Sequence, residues 1–298
     1  MAQRRTDLAV EAHQLWQEGA GEAAALPGVS AREERREGFL VNTVTISSPE
    51  GAEALGKPEG VYVTVELDGL LRREEGAFRR AVAAVAAQLR PLLPEDGPAL
   101  VMGLGNRAVT PDLIGPLTVD HLLVTRHLVQ HVPEHFGNLR PVSAAAPGVL
   151  STTGMESSLV AQALAGELHP ACVIAVDALA SRSLDRLCRT IQLSDTGVIP
   201  GSGVGNHRNP LNRETLGVPV LTVGAPTVVD GATLALDLLE RGGHAGTGRD
   251  DLPGGEDFFV TPREVDQRVA DLGKVLGYAV SIALNPSLTV EDLDLLLE

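Results

Sequence analysis

The sequence predicts an α/β protein, in which a mostly parallel β-sheet is flanked by helices within a single domain of residues 1–298. Two observations indicate this class. Short apolar segments alternate with helical segments over the second half of the chain, as parallel strands joined by crossover helices require. Apolar residues make up 44% of the chain and glycines number 32, so a large core can form around closely packed strands.

The first part of the chain predicts helices and half-buried strands. Residues 8–19 have the apolar spacing of an amphipathic helix, and residues 78–93 form an alanine-rich helix that ends near Pro94. Residues 39–46 and 61–67 alternate apolar and polar side chains, which is typical of strands with one buried face.

The next part of the chain predicts repeated units of strand, loop and helix. Each predicted strand is a short run of Val, Ala, Ile and Leu, followed by a helical pattern or a glycine-rich loop. The predicted strands are residues 99–104, 139–146, 171–176 and 218–223, and the predicted helices are residues 117–130, 155–168 and 183–189. The carboxyl ends of parallel strands lie along one edge of a sheet, where ligand crevices form.

The C-terminal part predicts a loop and a last helix. Residues 242–255 are rich in glycine and predict a flexible loop. Thr261, Pro262 and Glu264 predict a helix start in which Thr261 is the cap, and the apolar spacing continues to about residue 284.

Charge and cysteine content exclude several classes of function. A net charge of −15 argues against a nucleic-acid-binding surface, because phosphate contacts need clustered Lys and Arg. Cys172 and Cys188 form no close pair, which predicts a reduced, intracellular protein. The sequence has neither a signal pattern nor an apolar stretch of about 20 residues, so we expect a cytoplasmic protein with no membrane segment.

Three motifs have weaker functional interpretations. Gly103-Leu-Gly-Asn106 follows a predicted strand, but Ala108 replaces the third glycine of a dinucleotide-binding turn. The glycine-rich segment 201–206 permits either an anion-binding nest or a tight turn. His127 and His131 have a spacing that zinc sites use, although we favour a solvated or partly buried helix face.

Two aspartates that follow predicted strands are the strongest candidates for chemistry. Asp112 lies in the loop after the predicted strand 99–104, and Asp177 directly follows the predicted strand 171–176. Because the carboxyl ends of parallel strands share an edge, both carboxylates can face one crevice and activate water. Helix capping is the alternative for Asp112, as it is for Asp195 and Asp230. At Asp177 an unpaired carboxylate would be costly, since the strand is buried.

A series of motifs runs in order along nearly the whole chain. The motifs are Arg5-Thr-Asp-Leu-Ala-Val-Glu11, Gly103-Leu-Gly-Asn106, Val109-Thr-Pro-Asp112, Leu123-Val-Thr-Arg-His-Leu128, Ala146-Pro-Gly-Val149, Asp177-Ala-Leu-Ala180, Thr190-Ile-Gln-Leu-Ser-Asp-Thr-Gly197, Pro200-Gly-Ser-Gly-Val-Gly-Asn206, Pro226-Thr-Val-Val-Asp230 and Val260-Thr-Pro-Arg-Glu-Val-Asp266. Through them the sequence resembles the germination protease family of endospore-forming bacteria, endopeptidases that degrade small acid-soluble spore proteins.

The resemblance implies an atypical aspartic-type endopeptidase, homotetrameric and made as a zymogen in the developing spore. It implies that Asp112 and Asp177 are the catalytic pair and that no metal or other cofactor takes part. The implied fold is similar to that of hydrogenase-maturation endopeptidases, a phosphorylase/hydrolase-like sheet. Supporting or substrate-binding roles are implied for Asn106, Glu156, Asp195, Gly201, Gly203 and Asp230.

The family cuts its substrates after an acidic residue and before a large apolar residue and alanine. Asp7-Leu8-Ala9 has this pattern. The resemblance therefore implies that cleavage of the Asp7–Leu8 bond removes residues 1–7 as a propeptide and activates the enzyme. This segment is shorter than the family usually has before the bond.

Two other functions stay open. The two aspartates could be metal ligands, together with a histidine from residues 121–135, in a metal-dependent endopeptidase. Alternatively, the acidic surface and the glycine-rich loops could serve a non-enzymatic protein that binds basic peptides.

Overall fold

Nine strands form one mixed sheet in the part of the chain that the computed structural model describes, which is residues 4–21, 25–200, 209–244, 248, 252 and 258–297. The strands are β1 (Val29–Arg36), β2 (Phe39–Ile46), β3 (Gly60–Glu66), β4 (Ala99–Gly103), β5 (Val142–Ala145), β6 (Cys172–Ser181), β7 (Thr190–Ser194), β8 (Val220–Asp230) and β9 (Phe259–Val260). Their order across the sheet is β1-β2-β3-β7-β8-β6-β4-β5, and β9 pairs with the last residues of β8.

Helices cover both faces of this sheet. They are α1 (Ala9–Ala20), α2 (Pro49–Leu55), α3 (Asp68–Leu71), α4 (Ala77–Leu89), α5 (Ile114–Asp120), α6 (Arg126–His131), α7 (Pro133–Phe136), α8 (Leu150–Thr153), α9 (Ser157–Leu168), α10 (Arg213–Leu216), α11 (Gly231–Arg241), α12 (Val265–Leu284) and α13 (Val290–Leu297). Two short 3₁₀ turns, at Arg90–Leu92 and Thr110–Asp112, complete the elements.

The parallel strands β5, β4, β6 and β8 form the centre of the molecule. All residues of β4 are buried, and β6 and β8 are buried at all but one position each. Successive side chains point to opposite faces. Thus Val101 packs into the core formed with α4 and α12, whereas Leu100 and Met102 pack on the other face against Ala161 of α9. Burial on both faces is typical of strands in a parallel sheet.

A second apolar cluster attaches the N-terminal helix to the sheet. Leu8 and Ala9 are fully buried, and they pack with Tyr62 of β3 and Leu179 of β6 among other apolar residues. Helix α1 therefore belongs to the folded domain from its first residue onward, and the chain enters the core at Leu8.

The predicted α/β class is confirmed, and the sheet itself is mixed. Four strands are parallel, and antiparallel pairs of β1, β2, β3 and β7 extend the sheet on one side, so the sheet is less parallel than predicted. β1 and β7 were not predicted. Five of the eight β1 residues are charged, so the strand lacks the alternation that would reveal it and forms by pairing with β2.

Several predicted boundaries were wrong for local reasons. The helix predicted at residues 183–189 is a series of turns in which Cys188 has a φ of +53°. The helix predicted at residues 117–130 is divided into α5 and α6. Thr261 does not cap the helix that follows it, because α12 begins only at Val265; the Thr261 hydroxyl instead donates to the carbonyl oxygen of Thr227. The predicted flexible loop at residues 242–255 lies largely outside the described residues.

One close approach fixes α5 against the sheet and gives a stability prediction. A Cβ on Gly115 of α5 would lie 2.1 Å from the carbonyl oxygen of Leu104. Gly115→Ala must therefore displace α5, and we expect it to lower the free energy of unfolding by ~3 kcal/mol, the upper part of the range for overpacking. Urea unfolding followed by circular dichroism measures the change.

Gly166 of α9 is the matched control, because it is also helical but exposed, with open space where a Cβ would lie. Gly166→Ala should raise the free energy of unfolding by about 0.5–1 kcal/mol through the lower entropy of the unfolded chain. Equal effects of the two substitutions would contradict the close approach at Gly115.

Candidate active site

The carboxylate of Asp177 lies where β6 extends beyond its neighbour β4. The last pair between the two strands joins Gly103 to Val176, and Asp177 follows immediately. The sequence predicted that the strand ends here, but β6 continues to Ser181, so Asp177 lies inside a strand and not at its end. Asp177 is buried, and its Oδ1 accepts a hydrogen bond from the amide of Ala178 at 3.0 Å.

Asp112 lies in the 3₁₀ turn that follows β4 and closes the loop back onto the strand. Its Oδ2 accepts a hydrogen bond from the amide of Asn106 at 2.8 Å, and the Asn106 Oδ1 accepts one from the amide of Ala108 at 3.0 Å. Helix α5 has Leu113 at its N-cap and no side-chain cap bond. The capping alternative for Asp112 was therefore wrong, because its carboxylate closes the loop and does not cap the helix.

The two glycines of Gly103-Leu-Gly-Asn106 allow this loop to fold tightly. Gly105 has a φ of +129°, and a Cβ there would lie 2.0 Å from the carbonyl oxygen of Asp112. A Cβ on Gly103 would lie 2.4 Å from the carbonyl oxygen of Gly115. Close backbone packing thus accounts for both glycines, without a bound dinucleotide.

Asp112 and Asp177 line the same cavity. It has a volume of about 340 Å³, and Asn106 also lines it. A hollow of this size is at the small end of the range for ligand sites. Apolar side chains form most of the remaining wall, among them Leu104, Val109, Val149, Leu179 and Phe259. The structure therefore brings together three of the residues that the sequence singled out, in a mainly apolar hollow at the carboxyl ends of parallel strands.

Of the other residues predicted to support the site, the three that the structure describes do not line this cavity. Asp230 is buried and caps α11, because its Oδ1 accepts from the amide and the hydroxyl of Thr233 at 2.9 and 2.8 Å. Asp195 accepts from the amide of Val61 at 2.8 Å, next to the start of β3. Glu156 occupies the N-cap position of α9 without capping it. Gly201 and Gly203 lie outside the described residues.

The N-terminal segment, defined here as residues 4–9, forms part of the wall of a larger groove next to the cavity through its residues 4–7. The groove has a volume of about 990 Å³, and Leu179 and Ala180 line both hollows. The amide of Asp7 donates to the carbonyl oxygen of Ala180 at 2.8 Å, and the Ala180 amide donates to Asp7 Oδ2 at 2.8 Å. The N-terminal segment therefore pairs with β6 beyond the end of β4, three residues after Asp177.

Gln192 of β7 holds both sides of the Asp7–Leu8 bond. Its Nε2 donates to the carbonyl oxygen of Asp7 at 2.9 Å, and its Oε1 accepts from the amide of Ala9 at 2.7 Å. This contact was not predicted from the sequence, because a buried glutamine in a five-residue strand has no distinctive pattern.

Basic side chains add further contacts of the N-terminal segment. Lys57 Nζ donates to the carbonyl oxygen of Thr6 at 3.1 Å. Burial lowers the pKa of Lys57, and the negative charges of Asp7 and Glu11 oppose that shift. Arg4 forms ion pairs with acidic residues of α1 and α11, and the guanidinium of Arg5 lies 4.0 Å from Asp230 Oδ2.

Glu11 is the buried anchor between α1 and the end of β6. Its Oε2 accepts from the Thr6 hydroxyl at 2.5 Å and from the Arg182 amide at 2.6 Å, and its Oε1 accepts from the Ser183 amide at 3.1 Å. The guanidinium of Arg186 also donates to Oε1 at 3.5 Å, so four donors satisfy the hydrogen-bonding capacity of this buried carboxylate. The middle of the N-terminal segment is thus linked to the strand that carries Asp177, directly through Asp7 and indirectly through Thr6 and Glu11.

The fold and the cavity define a class of protein. Two aspartates line one mainly apolar hollow beyond the carboxyl end of β4, an arrangement suited to an enzyme that activates water between acids. Among the described residues, no group of three or more His, Cys, Asp and Glu side chains is placed to hold a metal ion. Of the helices described, none combines the length and the apolar character needed to cross a membrane.

The chain belongs to the germination protease family, whose family model, described as germination protease, matches residues 9–241. A germination protease of Caldanaerobacter subterraneus is 40% identical over 98% of this chain and 98% of its own length. One from Clostridium perfringens is 40% identical over 97% and 98%, and one from Bacillus cereus is 45% identical over 79% and 66%. The chain is therefore a protease of spore germination.

One solved structure is similar at a much lower level. The [NiFe] hydrogenase maturation protease HycI from Thermococcus kodakarensis is 16% identical, with a TM-score of 0.36 over 65% of this chain and 98% of the other. That similarity is too low to support an argument about this site.

The anchoring role of Glu11 gives a second stability prediction. Glu11→Gln places an NH₂ group against backbone donors, and we expect the free energy of unfolding to fall by ~2–3 kcal/mol, as for buried donors left unpaired. Glu18→Gln is the control on the same helix, because the Glu18 side chain is 52% exposed in its pair with Arg182. Its effect should stay below about 0.5 kcal/mol. Thermal unfolding of both variants measures the difference, and equal losses would contradict the anchor.

Proposed function

We propose that this protease is an endopeptidase that starts the degradation of small acid-soluble spore proteins during germination. It cuts after an acidic residue and before a large apolar residue and alanine. Asp112 and Asp177 activate the attacking water. The observation that carries the proposal is that the two carboxylates line one cavity at the carboxyl ends of parallel strands. The germination proteases that the chain resembles over almost its whole length support the substrate class.

The proposed chemistry is hydrolysis by a pair of carboxyl groups that share one proton. Two close carboxylates do not both ionise at low cost, so the pair titrates with one raised and one lowered apparent pKa. The ionised member takes a proton from water, and the resulting hydroxide adds to the carbonyl carbon. The protonated member polarises the carbonyl, and the pair then supplies a proton to the leaving amine as the C–N bond breaks.

We also propose that residues 1–7 are a propeptide that is removed at the Asp7–Leu8 bond. In support, the described part of this segment lies beside the cavity: Asp7 pairs with Ala180 on β6, and Arg5 contacts Asp230 on β8. The Asp7–Leu8 bond itself lies behind the wall of the groove, since Asp7 lines the groove and Leu8 is fully buried in the apolar cluster. Cleavage therefore requires the segment to leave this position and to enter the cavity that contains Asp112 and Asp177, either in the same copy or in another copy.

The remaining parts of the proposal are a homotetramer without a cofactor, located in the core of the forespore and spore. Size-exclusion chromatography with light scattering tests the tetramer. Activity in a chelator tests the absence of a metal, since a metal-dependent endopeptidase would be inhibited. Binding of spore protein without cleavage at any pH would favour a peptide-binding protein instead.

The catalytic pair predicts a specific loss of activity. Asp112→Asn and Asp177→Asn should each lower the rate of spore-protein cleavage at least about 1,000-fold, because neither asparagine exchanges a proton with water. The measurement is the rate of appearance of cut fragments by mass spectrometry, with circular dichroism to show that each variant is folded. Asp185→Asn is the control, because the Asp185 side chain is 81% exposed and the residue lines neither hollow.

Near-normal cleavage by a folded Asp177→Asn variant would refute the assignment of this pair. Cleavage that persists in both variants but disappears in chelator would favour the metal-dependent alternative. Loss of activity in Asp185→Asn as well would show that the assay responds to surface charge rather than to the cavity.

Self-cleavage gives a further prediction. After incubation of the full chain at mildly acidic pH, N-terminal sequencing should show a chain that begins at Leu8. Asp7→Asn should slow this cleavage at least about 10-fold, because it removes the acidic side chain that precedes the cut while retaining an oxygen to accept from Ala180. Active enzyme with an unchanged N-terminus would contradict the propeptide.

A further inference from the structure

Thr227 contributes a buried hydroxyl to the wall of the cavity. Its side chain is fully buried, and the hydroxyl has no hydrogen-bond partner among the described residues. The residue lines the same hollow as Asp112 and Asp177. A buried hydroxyl without a partner costs about 1–3 kcal/mol, and in a cavity with two carboxylic acids a bound peptide can supply the partner that the protein does not.

A β-bulge directs this residue. Along the parallel pair of β6 and β8, Leu179 is opposite Pro226 and Ala180 is opposite Val228, so Thr227 is the extra residue. The hydroxyl of Thr261 holds the bulge by donating to the Thr227 carbonyl oxygen at 2.9 Å. Bulges are rare between parallel strands and common beside active sites, where they redirect a side chain.

Thr227 lines the cavity together with two acids, and none of the other serines and threonines among the described lining residues is as deeply buried. In the proposed mechanism the protonated aspartate donates to the carbonyl of the substrate, and a second donor would further stabilise the carbonyl oxygen as it gains negative charge. A threonine hydroxyl can donate one hydrogen bond without changing its protonation state.

We infer that Thr227 is a further catalytic residue, whose hydroxyl donates a hydrogen bond to the carbonyl oxygen of the scissile peptide; this rests on the proposed peptide hydrolysis at Asp112 and Asp177. As hydroxide from the activated water adds to the carbonyl carbon, the C=O π electrons move onto oxygen and the hydrogen bond strengthens. The carbonyl re-forms when the C–N bond breaks, and the amine takes its proton from the aspartate pair. The Thr227 proton stays on its own oxygen throughout.

Three variants of the full chain test this role in the spore-protein assay. Thr227→Val keeps the shape and removes the hydroxyl, and kcat should fall about 100-fold with little change in KM, as when one donor to a developing oxyanion is lost. Self-cleavage at Asp7–Leu8 should slow by a similar factor. Thr227→Ser should retain most of the activity and Thr227→Ala should lose it, a pair that separates the hydroxyl from the methyl group.

The melting temperature separates a catalytic role of Thr227 from a structural one. If the hydroxyl only stabilised the fold, its removal would lower the melting temperature. Because the hydroxyl has no partner among the described residues, Thr227→Val should have a melting temperature equal to or above that of the wild type. Thr222→Val is the matched control: Thr222 lies on the same strand with a buried hydroxyl that also lacks a partner there, but it lines the larger groove. Its kcat should be unchanged.

The outcomes separate this inference from the proposed function. If the wild type cuts spore protein, Asp177→Asn does not, and folded Thr227→Val and Thr227→Ala keep the wild-type kcat, the role of Thr227 is refuted while the aspartate pair stands. A rise in KM of the Thr227 variants without a fall in kcat would also refute this role, because it would indicate that the hydroxyl binds the substrate and does not stabilise the transition state. If the wild type cuts no spore protein under any condition, the proposed function is refuted, and the role of Thr227, which rests on it, is refuted with it.

Discussion

The extension of β6 beyond β4 is the feature on which the site depends. The two strands pair as far as Val176, and the residues from Asp177 to Ser181 continue without that neighbour. This extension carries Asp177, provides Leu179 to the core beneath α1, and offers the backbone of Ala180 to the N-terminal segment. A shorter β6 would remove the carboxylate, the wall between the two hollows and the attachment of the N-terminal segment together.

The cavity beside Asp177 forms where β4, its following loop and α5 leave space. These elements pack closely against one another through their backbones. Gly103 and Gly115 bring α5 against β4, and Gly105 brings the loop back until Asp112 lies beside the strand. The bulge at Thr227 prevents β8 from following β6 with a regular register. Small residues and one irregularity therefore shape a hollow that two regular strands would close.

The buried strands of the fold, and the polar residues beside them, could be predicted from the sequence. Continuous apolar runs identified β4 and β6, and the polar residues that interrupt or follow them, Asp112 and Asp177, proved to share a cavity. The sequence did not reveal contacts that depend on pairing between distant segments. The exposed, charged β1 becomes a strand only through β2. Thr227 resembles any threonine of a β-strand, since a bulge is a property of two strands and not of one.

The buried position of the Asp7–Leu8 bond indicates that a matching sequence is not sufficient for cleavage. Asp7-Leu8-Ala9 matches the pattern that we propose the enzyme cuts, yet Leu8 and Ala9 are fully buried and Gln192 holds the backbone on both sides. Release of the N-terminal segment must break these contacts and the pairing with Ala180, which places a local unfolding free energy before any cut. A substrate with the same residues in an unstructured segment bears no such cost. Local stability, and not sequence alone, would then decide which bonds of this type the protease cuts first.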